Sequence, residues 1–148
     1  MEDADQPFLA RLYATTRADI TSSWLPPEQQ RILLEQQFQA QAADYGRNYP
    51  AEGHRVVELE DEPVGRVWLD SRPDELLVVD MALLPEHRCS GIGSLLLREI
   101  FAQADAARLP VRMTTRKTNP RAIALCERLG FSVVELDGVF VSLVRAPA

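Results

Sequence analysis

The sequence predicts an α/β sandwich in which helices pack on a mixed sheet, and three observations support this class. Leu76 to Leu84 is an apolar run with β-branched residues, which is typical of a strand buried on both faces. The segment SLLLREIFAQADAA, which starts at Ser94, has the apolar spacing of an amphipathic helix. The segment Val111 to Arg116, which follows that helix, is predicted to be the next strand. Because a helical crossover joins parallel strands, this strand should be parallel to the one formed by Leu76 to Leu84.

Two helices are predicted in the first third of the chain. The first begins after Asp5, because Asp is a good helix cap and Pro7 suits the first turn, and it ends near Thr16. The segment from Ala18 to Pro27 should break the helical pattern, and Glu28 to Arg47 should form the second helix. The residues predicted to face the core are Phe8, Leu9, Leu12 and Tyr13 in the first helix and Ile32, Leu33, Phe38 and Ala42 in the second.

The remaining elements follow from alternating patterns and turn residues. The predicted strands are His54 to Glu60, Val64 to Asp70, Phe131 to Leu136 and Val139 to Val144, and the predicted helices are Ser94 to Arg108 and Pro120 to Leu129. Asp61-Glu62-Pro63 and Asp137-Gly138 have the composition of turns between antiparallel strands. The sheet should therefore be mostly antiparallel around one parallel pair.

A glycine-containing loop joins the central strand to the helix that starts at Ser94. Strand, glycine loop and helix form an anion-binding geometry, because Gly91 and Gly93 let the main chain approach a ligand and the first helical N–H groups point at it. A nucleoside-triphosphate loop needs Gly-Lys-Ser/Thr, where this chain has Gly-Ser-Leu. A dinucleotide loop needs a third glycine at the position of Leu96. Both of these loop types are therefore disfavoured.

Two motifs resemble those of the GNAT acyl-CoA N-acetyltransferases. The residues RCSGIG, Arg88 to Gly93, resemble the family's Arg/Gln-x-x-Gly-x-Gly/Ala pyrophosphate loop, which also follows a central strand. The residues NPRAIALCERLGF, Asn119 to Phe131, resemble the family's Asn-x-x-Ala-x-x-Leu-(Tyr)-x-x-x-Gly-Phe segment. The two matches occur in the family's order and at its spacing.

The resemblance implies the family's three-layer sandwich, with a splayed central pair of parallel strands, in a single domain over residues 1–148. The family's chains usually begin with a strand before the first helix, and almost nothing precedes that helix here. The first family strand is therefore expected to be missing, unless residues were lost upstream of Met1 or another chain covers the edge. A sheet edge left open in this way favours a homodimer.

The resemblance also implies where acetyl-CoA, the family's co-substrate, is bound. The main chain of Met81, Ala82 and Leu83 would hold the pantetheine arm and the acetyl carbonyl. The glycine loop would cradle the pyrophosphate, Arg88 would attract it by charge, and Asn119 would contact the arm from the other side. The loop positions are Cys89, Ser90, Gly91, Ile92, Gly93 and Ser94.

Proton transfer is the step at which the chain departs from the family's pattern. The tyrosine that often protonates the departing thiolate is replaced by Cys126, which is either a weak acid or a small buried core residue. Positions at which relatives place a base hold Thr114, Leu77 and Val79. The remaining candidate is Asp80, a carboxylate in an apolar strand. It would bind the acceptor ammonium or pass on its proton, and the alternative is a structural carboxylate.

A neutral polar stripe follows the second helix. Gln37, Gln41 and Tyr45 recur at every fourth residue, which places them on one helix face. Because 26% of the chain is charged, a neutral stripe is unusual for a solvated surface, and we interpret it as an acceptor pocket. The alternative is an exposed glutamine-rich face. In the resembled family the preceding linker lies over the acceptor, so Trp24 is either a pocket wall or an ordinary packing residue.

Composition limits the classes of partner. The 148 residues, of which 46% are hydrophobic, suit one globular domain. The net charge of −6 disfavours nucleic acid and suits a cationic amine. The N-terminus is acidic where a signal peptide is basic, and no apolar run has membrane-spanning length, so we expect a cytoplasmic protein. The two cysteines are far apart in sequence and only two histidines occur, so no metal site is expected.

These observations lead to one functional prediction and one rival. We expect an N-acetyltransferase that moves an acetyl group from acetyl-CoA to a primary amine, with a small molecule as the acceptor. The rival is a non-catalytic acyl-CoA-binding regulatory domain that keeps the loop without the proton machinery. Acetylation of proteins is disfavoured because nothing in the sequence marks a peptide groove.

Overall fold

A computed structural model describes residues 3–88, 90–117 and 119–148. The helices are α1 (Gln6–Thr15), α2 (Ala18–Thr21), α3 (Pro27–Asn48), α4 (Ile92–Ala106) and α5 (Pro120–Arg128). The strands are β1 (His54–Leu59), β2 (Glu62–Ser71), β3 (Leu76–Leu83), β4 (Val111–Arg116), β5 (Ser132–Leu136) and β6 (Phe140–Arg145). Short 3-10 helices occupy Asp3–Asp5, Ala51–Gly53 and Pro85–His87.

The six strands form one mixed sheet in the order β1-β2-β3-β4-β6-β5. Strands β3 and β4 are parallel, whereas β6 pairs antiparallel with both β4 and β5. This confirms the predicted α/β class and the predicted parallel pair. Within the described residues the element before α1 is the 3-10 helix Asp3–Asp5.

The chain divides into two compact units. The first takes in Met1–Val67 and Met81–Arg88, and the second takes in Trp68–Asp80 and Cys89–Ala148. That the whole chain forms a single domain stays a prediction.

The core of the first unit is built by α1. Its four predicted core residues are all buried, and they cluster with Phe38 of α3 and with Leu84. The prediction for α3 was wrong in part, because Ile32 is 44% exposed and Ala42 is also exposed. Leu34 packs on the core instead, because it lies one turn before Phe38 and therefore on the same helix face. The start of the linker was also predicted wrongly, since α2 is helical.

The core of the second unit lies between α4, α5 and the strands that surround β4. Buried residues come from β3 (Leu76, Leu77, Val78), α4 (Leu97, Ile100, Phe101, Ala104), β4 (Val111, Met113), α5 (Cys126) and β6 (Val141, Leu143). The helix α4 begins earlier than predicted, at Ile92 rather than Ser94. The predicted turn at Asp137 is present, and its carboxylate accepts hydrogen bonds from the N–H groups of Val139 and Phe140.

Candidate functional site

The parallel strands β3 and β4 pair over only part of their length. The Cα partners are Leu76 with Val111, Leu77 with Arg112 and Val78 with Met113. Within the described residues of the second unit the pairing stops there, although β3 continues through Val79 and Asp80. All residues of β4, in contrast, pair with β6 on its other side. On their β3 side, residues 114–116 therefore have no pairing partner among the described residues of the second unit, and an open strand edge of this kind can accept an extended ligand as an added strand.

The glycine loop leads into α4 through a left-handed residue. Gly91 has φ +89° and ψ −7°, it occupies the N-cap position, and its carbonyl accepts from Leu95 at 3.0 Å. Only glycine adopts this conformation at little cost, so its presence is explained by backbone geometry. Ser90 is exposed, and Ile92, Gly93 and Ser94 form the first turn of α4, whose N–H groups have no intrahelical acceptor. Cys89, another predicted loop residue, lies outside the described residues.

Arg88 contacts the protein on two sides. Its Nε donates to the Leu83 carbonyl at 3.0 Å, and its Nη2 donates to Thr15 Oγ1 at 3.1 Å. The side chain is nevertheless exposed, so these bonds compete with water. Arg88 therefore ties the segment after β3 to the end of α1. The predicted contact of Arg88 with pyrophosphate stays a prediction.

The three predicted main-chain ligands Met81, Ala82 and Leu83 form the last part of β3 and are half-buried. The carbonyl of Leu83 is the acceptor for Arg88. One residue further on, the N–H of Leu84 donates to the Val64 carbonyl of β2 at 2.8 Å. The end of β3 is thus held by specific polar contacts on both sides of Leu83.

Asn119 occupies the N-cap of α5. Its Oδ1 accepts from the N–H of Ala122 at 3.3 Å, and its own N–H donates to the Arg116 carbonyl at 3.0 Å. Asparagine is a preferred N-cap residue because its side-chain oxygen satisfies a free helical donor. Helix capping is therefore sufficient to explain the side chain, and its contact with a coenzyme stays a prediction.

Cys126 is buried in the second unit. It is 2% exposed, and its Sγ lies 3.4 Å from the Met113 Sδ. Burial raises the pKa of the thiol from 9.0 to about 11, with a smaller contribution from the charge of Glu127. An ordinary thiol has a pKa of about 8.5, so Cys126 is a weaker acid than the thiol that it would protonate. These properties favour the core role over the acid role.

Asp80 is half-buried on β3 and lies two residues beyond Val78, where the parallel pairing stops. Asp80 is therefore a carboxylate that lies just beyond the last described β3–β4 pair. This position is consistent with either role considered for Asp80, a proton acceptor or a structural carboxylate.

Two of the predicted acceptor residues meet a residue that the sequence analysis did not identify. Arg66 of β2 is only 7% exposed, and its Nη2 donates to Gln41 Oε1 at 2.9 Å. Its guanidinium lies 6.0 Å from the ring of Tyr45, which makes an edge contact with Tyr49. A signal was present in the sequence: Arg66 is a charged residue inside an apolar strand, the same signal that identified Asp80.

The other two predicted acceptor residues do not join this cluster. Gln37 is exposed on α3, and Trp24 is 90% exposed in the segment between α2 and α3. Trp24 therefore does not have the packing role that was its alternative.

No group of His, Cys, Asp or Glu side chains suited to a metal ion occurs in the described part of the chain. None of the described helices has the length and apolarity needed to cross a bilayer.

Comparison with known proteins identifies a family and a fold. The sequence model of the Acetyltransferase (GNAT) family matches residues 10–131. The PaiA N-acetyltransferase from Thermoplasma acidophilum, crystallised with coenzyme A, is similar in structure, with a TM-score of 0.71 at 14% identity over 99% of this chain and 95% of that one. Ard1 from Thermoplasma volcanium gives a TM-score of 0.70 at 18% identity over 100% and 95% of the two chains. An acetyltransferase from Thermus thermophilus gives a TM-score of 0.67 at 19% identity, over 99% of this chain and 93% of that one. No curated protein sequence matches this chain.

Proposed function

Because the chain belongs to the GNAT acetyltransferase family, we propose that it transfers the acetyl group of acetyl-CoA to the nitrogen of a primary amine, and that this amine is a small molecule. The observation that carries the proposal is the early end of the β3–β4 pairing at Val78 and Met113. Strands paired along their whole length would leave no main-chain groups for a pantetheine arm.

The residues present suit coenzyme A as a ligand. The left-handed turn at Gly91 and the free N–H groups of the first turn of α4 form an anion-binding element, and pyrophosphate is an anion. Coenzyme A in the similar Thermoplasma acidophilum enzyme supports this assignment. We assign pyrophosphate to Cys89 to Ser94 with Arg88, and the arm to the main chain of Met81 to Leu83 and to Asn119. Acetyl-CoA supplies an activated thioester, from which the acetyl group passes to the amine while CoA leaves as a thiol.

Much of the rate acceleration would come from positioning. Holding two reactants in the reactive geometry contributes roughly 7–11 kcal/mol in the best cases. The Leu83 N–H would donate to the oxygen that gains charge during transfer, and one such donor is worth about 2.7–4 kcal/mol. Both contributions use main-chain groups, so they do not require the tyrosine that this chain lacks.

The amine must lose its proton before it attacks. An alkylamine with a pKa of about 10.4 is mostly protonated at pH 7, and neutralising it costs about 4–5 kcal/mol. Asp80 is the group that we assign to this proton, since it is a carboxylate on β3 beyond Val78, the last residue in the described pairing of this strand with β4. A positioned base contributes about 10²–10⁴-fold.

The acceptor side is assigned to side chains of α3 and the linker before it. Gln41 and Tyr45 are half-buried and gathered around Arg66, which orients the Gln41 amide through its carbonyl oxygen. That orientation leaves the amide N–H groups to donate to the acceptor. Gln37 and Trp24, both exposed, would contact only a larger acceptor.

A non-catalytic acyl-CoA-binding domain is the second candidate, and the state of Cys126 favours it. At Cys126 a buried thiol with a pKa of about 11 replaces the tyrosine that often protonates the departing thiolate in the family, so the chain lacks that proton donor. Both candidates bind acetyl-CoA, and they differ in turnover.

The test combines calorimetry with a thiol assay. Titration with acetyl-CoA should release heat, and addition of a panel of small amines should then release free CoA thiol. Heat without thiol release from any amine would support the binding domain. The absence of heat would contradict both functions.

We also propose a homodimer. The strands β1 and β5 are the edges of the sheet, and β5 exposes Val133, Val134 and Leu136. Exposed apolar edge strands favour pairing with another chain. Light scattering should give twice the 16.6 kDa of one chain.

A further inference from the structure

Gly65 of β2 is buried against the end of β3 with no space for a side chain. A Cβ atom at this position would lie 2.3 Å from the Ala82 carbonyl oxygen, 2.7 Å from Leu83 Cδ2 and 3.2 Å from Leu83 Cα. Ordinary contacts between non-bonded atoms begin near 3.5 Å. Gly65 does not have a left-handed φ, in contrast to Gly91, so the reason for glycine here is space.

The position of the Ala82 oxygen fixes the direction of the next N–H group. The peptide bond between Ala82 and Leu83 is trans, and in a planar trans peptide the C=O and N–H bonds point in opposite directions. Because the Ala82 oxygen lies beside Gly65 on β2, the Leu83 N–H points away from β2. The next N–H group, that of Leu84, donates back to β2 at Val64. Leu83 therefore presents its donor to the side of β3 that is opposite β2.

We infer that Gly65 is a positioning residue for acetyl transfer. By lacking a Cβ it admits the Ala82 carbonyl, and this orients the Leu83 N–H, the donor assigned above to the thioester oxygen. The inference rests on the proposed function and adds to it a residue that contacts neither substrate. Arg88 holds the other polar group of Leu83, its carbonyl, so the orientation of this residue is set from two sides.

The size of the effect follows from the distances. A methyl group at residue 65 has to displace the Ala82 oxygen by roughly 1 Å to reach an ordinary contact distance. A misplacement of about 1 Å in a reactive geometry can cost about 10²-fold in rate. The loss should appear in kcat, because an oxyanion donor is used more in the transition state than in the bound substrate.

The experiment compares Gly65→Ala with Gly138→Ala, since a Cβ at Gly138 has no atom within 4 Å. We expect kcat to fall about 10²-fold in Gly65→Ala, while the Kd for acetyl-CoA changes far less, and we expect neither to change in Gly138→Ala. A kcat for Gly65→Ala equal to that of Gly138→Ala would overturn the inference. If wild type bound acetyl-CoA but acetylated no amine, the proposed function itself would fail. Equal kcat values for the two variants of an active wild type would contradict only the role of Gly65, so the two failures are distinguishable.

A double variant identifies which contact matters. Leu83→Ala removes the Cδ2 atom near Gly65 but leaves the Ala82 oxygen in place. If the carbonyl is the important contact, Gly65→Ala/Leu83→Ala should remain as slow as Gly65→Ala. Recovery of kcat in the double variant would overturn the inference, because the obstruction would then be the leucine side chain.

A measurement on wild type covers the case in which Gly65→Ala does not fold. In ¹⁵N-labelled protein the Leu83 amide proton should move downfield on addition of acetyl-CoA and move much less on addition of CoA, which has no acetyl oxygen. Equal shifts with the two ligands would show that Leu83 N–H does not meet the acetyl group and would overturn the inference.

Discussion

The two longest helices, α3 and α4, contribute to the protein in different ways. The helix α4 buries Leu97, Ile100, Phe101 and Ala104, and its assigned chemistry lies in the main chain of its first turn. In the helix α3, Phe38 is the buried residue, whereas Gln41 and Tyr45 contact Arg66. In the proposed function, the coenzyme is held by main-chain groups and the acceptor is selected by side chains of α3. If so, side-chain substitutions should affect the two substrates differently.

The largest expected effect comes from a side chain that does not fit this division. Asp80 lies on β3 beside the assigned main-chain ligands, and Asp80→Asn removes its negative charge at nearly constant volume. We expect kcat to fall about 10²–10⁴-fold if Asp80 takes the proton of the amine. The acid limb that a carboxylate base produces in the pH–rate profile should also disappear.

The control for Asp80 is Asp74→Asn, which changes an exposed carboxylate in the turn before β3. It should leave the profile unchanged. A wild-type profile for Asp80→Asn would exclude the proton role and leave Asp80 as a structural carboxylate.

The next effect tests the main-chain part of the comparison. Gly91→Val places a β-branched residue at φ +89°, where strain of about 1–3 kcal/mol is expected, and the turn must rearrange to relieve it. The Kd for acetyl-CoA should rise by up to about 10²-fold, measured by calorimetry. Gly138→Val, in an exposed turn without a left-handed φ, should bind acetyl-CoA normally. Normal binding by Gly91→Val would show that this turn does not present the helix N-terminus to the coenzyme.

A smaller effect tests the side-chain part. Gln41→Ala and Tyr45→Phe each remove one hydrogen-bonding group from α3, and such a group is worth about 0.5–1.5 kcal/mol. We expect the KM for the amine to rise by roughly 2–10-fold, with the Kd for acetyl-CoA unchanged. Gln36→Ala is the matched control, because Gln36 is an exposed glutamine of the same helix. Unchanged turnover with a true acceptor would leave Gln41 and Tyr45 as surface residues.

The sequence predicted the second unit better than the helix α3 of the first, and the reason is physical. Val111 to Arg116 was predicted to the residue because a strand is expected after the helical crossover, and the glycine turn was found because a left-handed residue favours glycine. The face of α3 was misassigned because this helix carries little apolar periodicity. Arg66 is visible in the sequence as a charge inside an apolar strand, but its contact with Gln41 was missed because the two residues are 25 positions apart. The role of Gly65 depends on the path of a neighbouring strand, which no local pattern specifies.

The smallest expected effect on catalysis comes from Cys126, and it separates packing from chemistry at one position. If the thiol is a core residue, Cys126→Ala should leave kcat unchanged. The raised pKa gives a second test, since it favours the neutral thiol in the folded state. This stabilisation is fully present below pH 9 and is lost as the pH rises from the ordinary thiol pKa of 9.0 through the raised pKa of about 11. Wild type should therefore lose about 2–3 kcal/mol more unfolding free energy than Cys126→Ala between those pH values, measured by urea denaturation. A large fall in kcat with parallel stability curves would instead assign Cys126 to proton transfer.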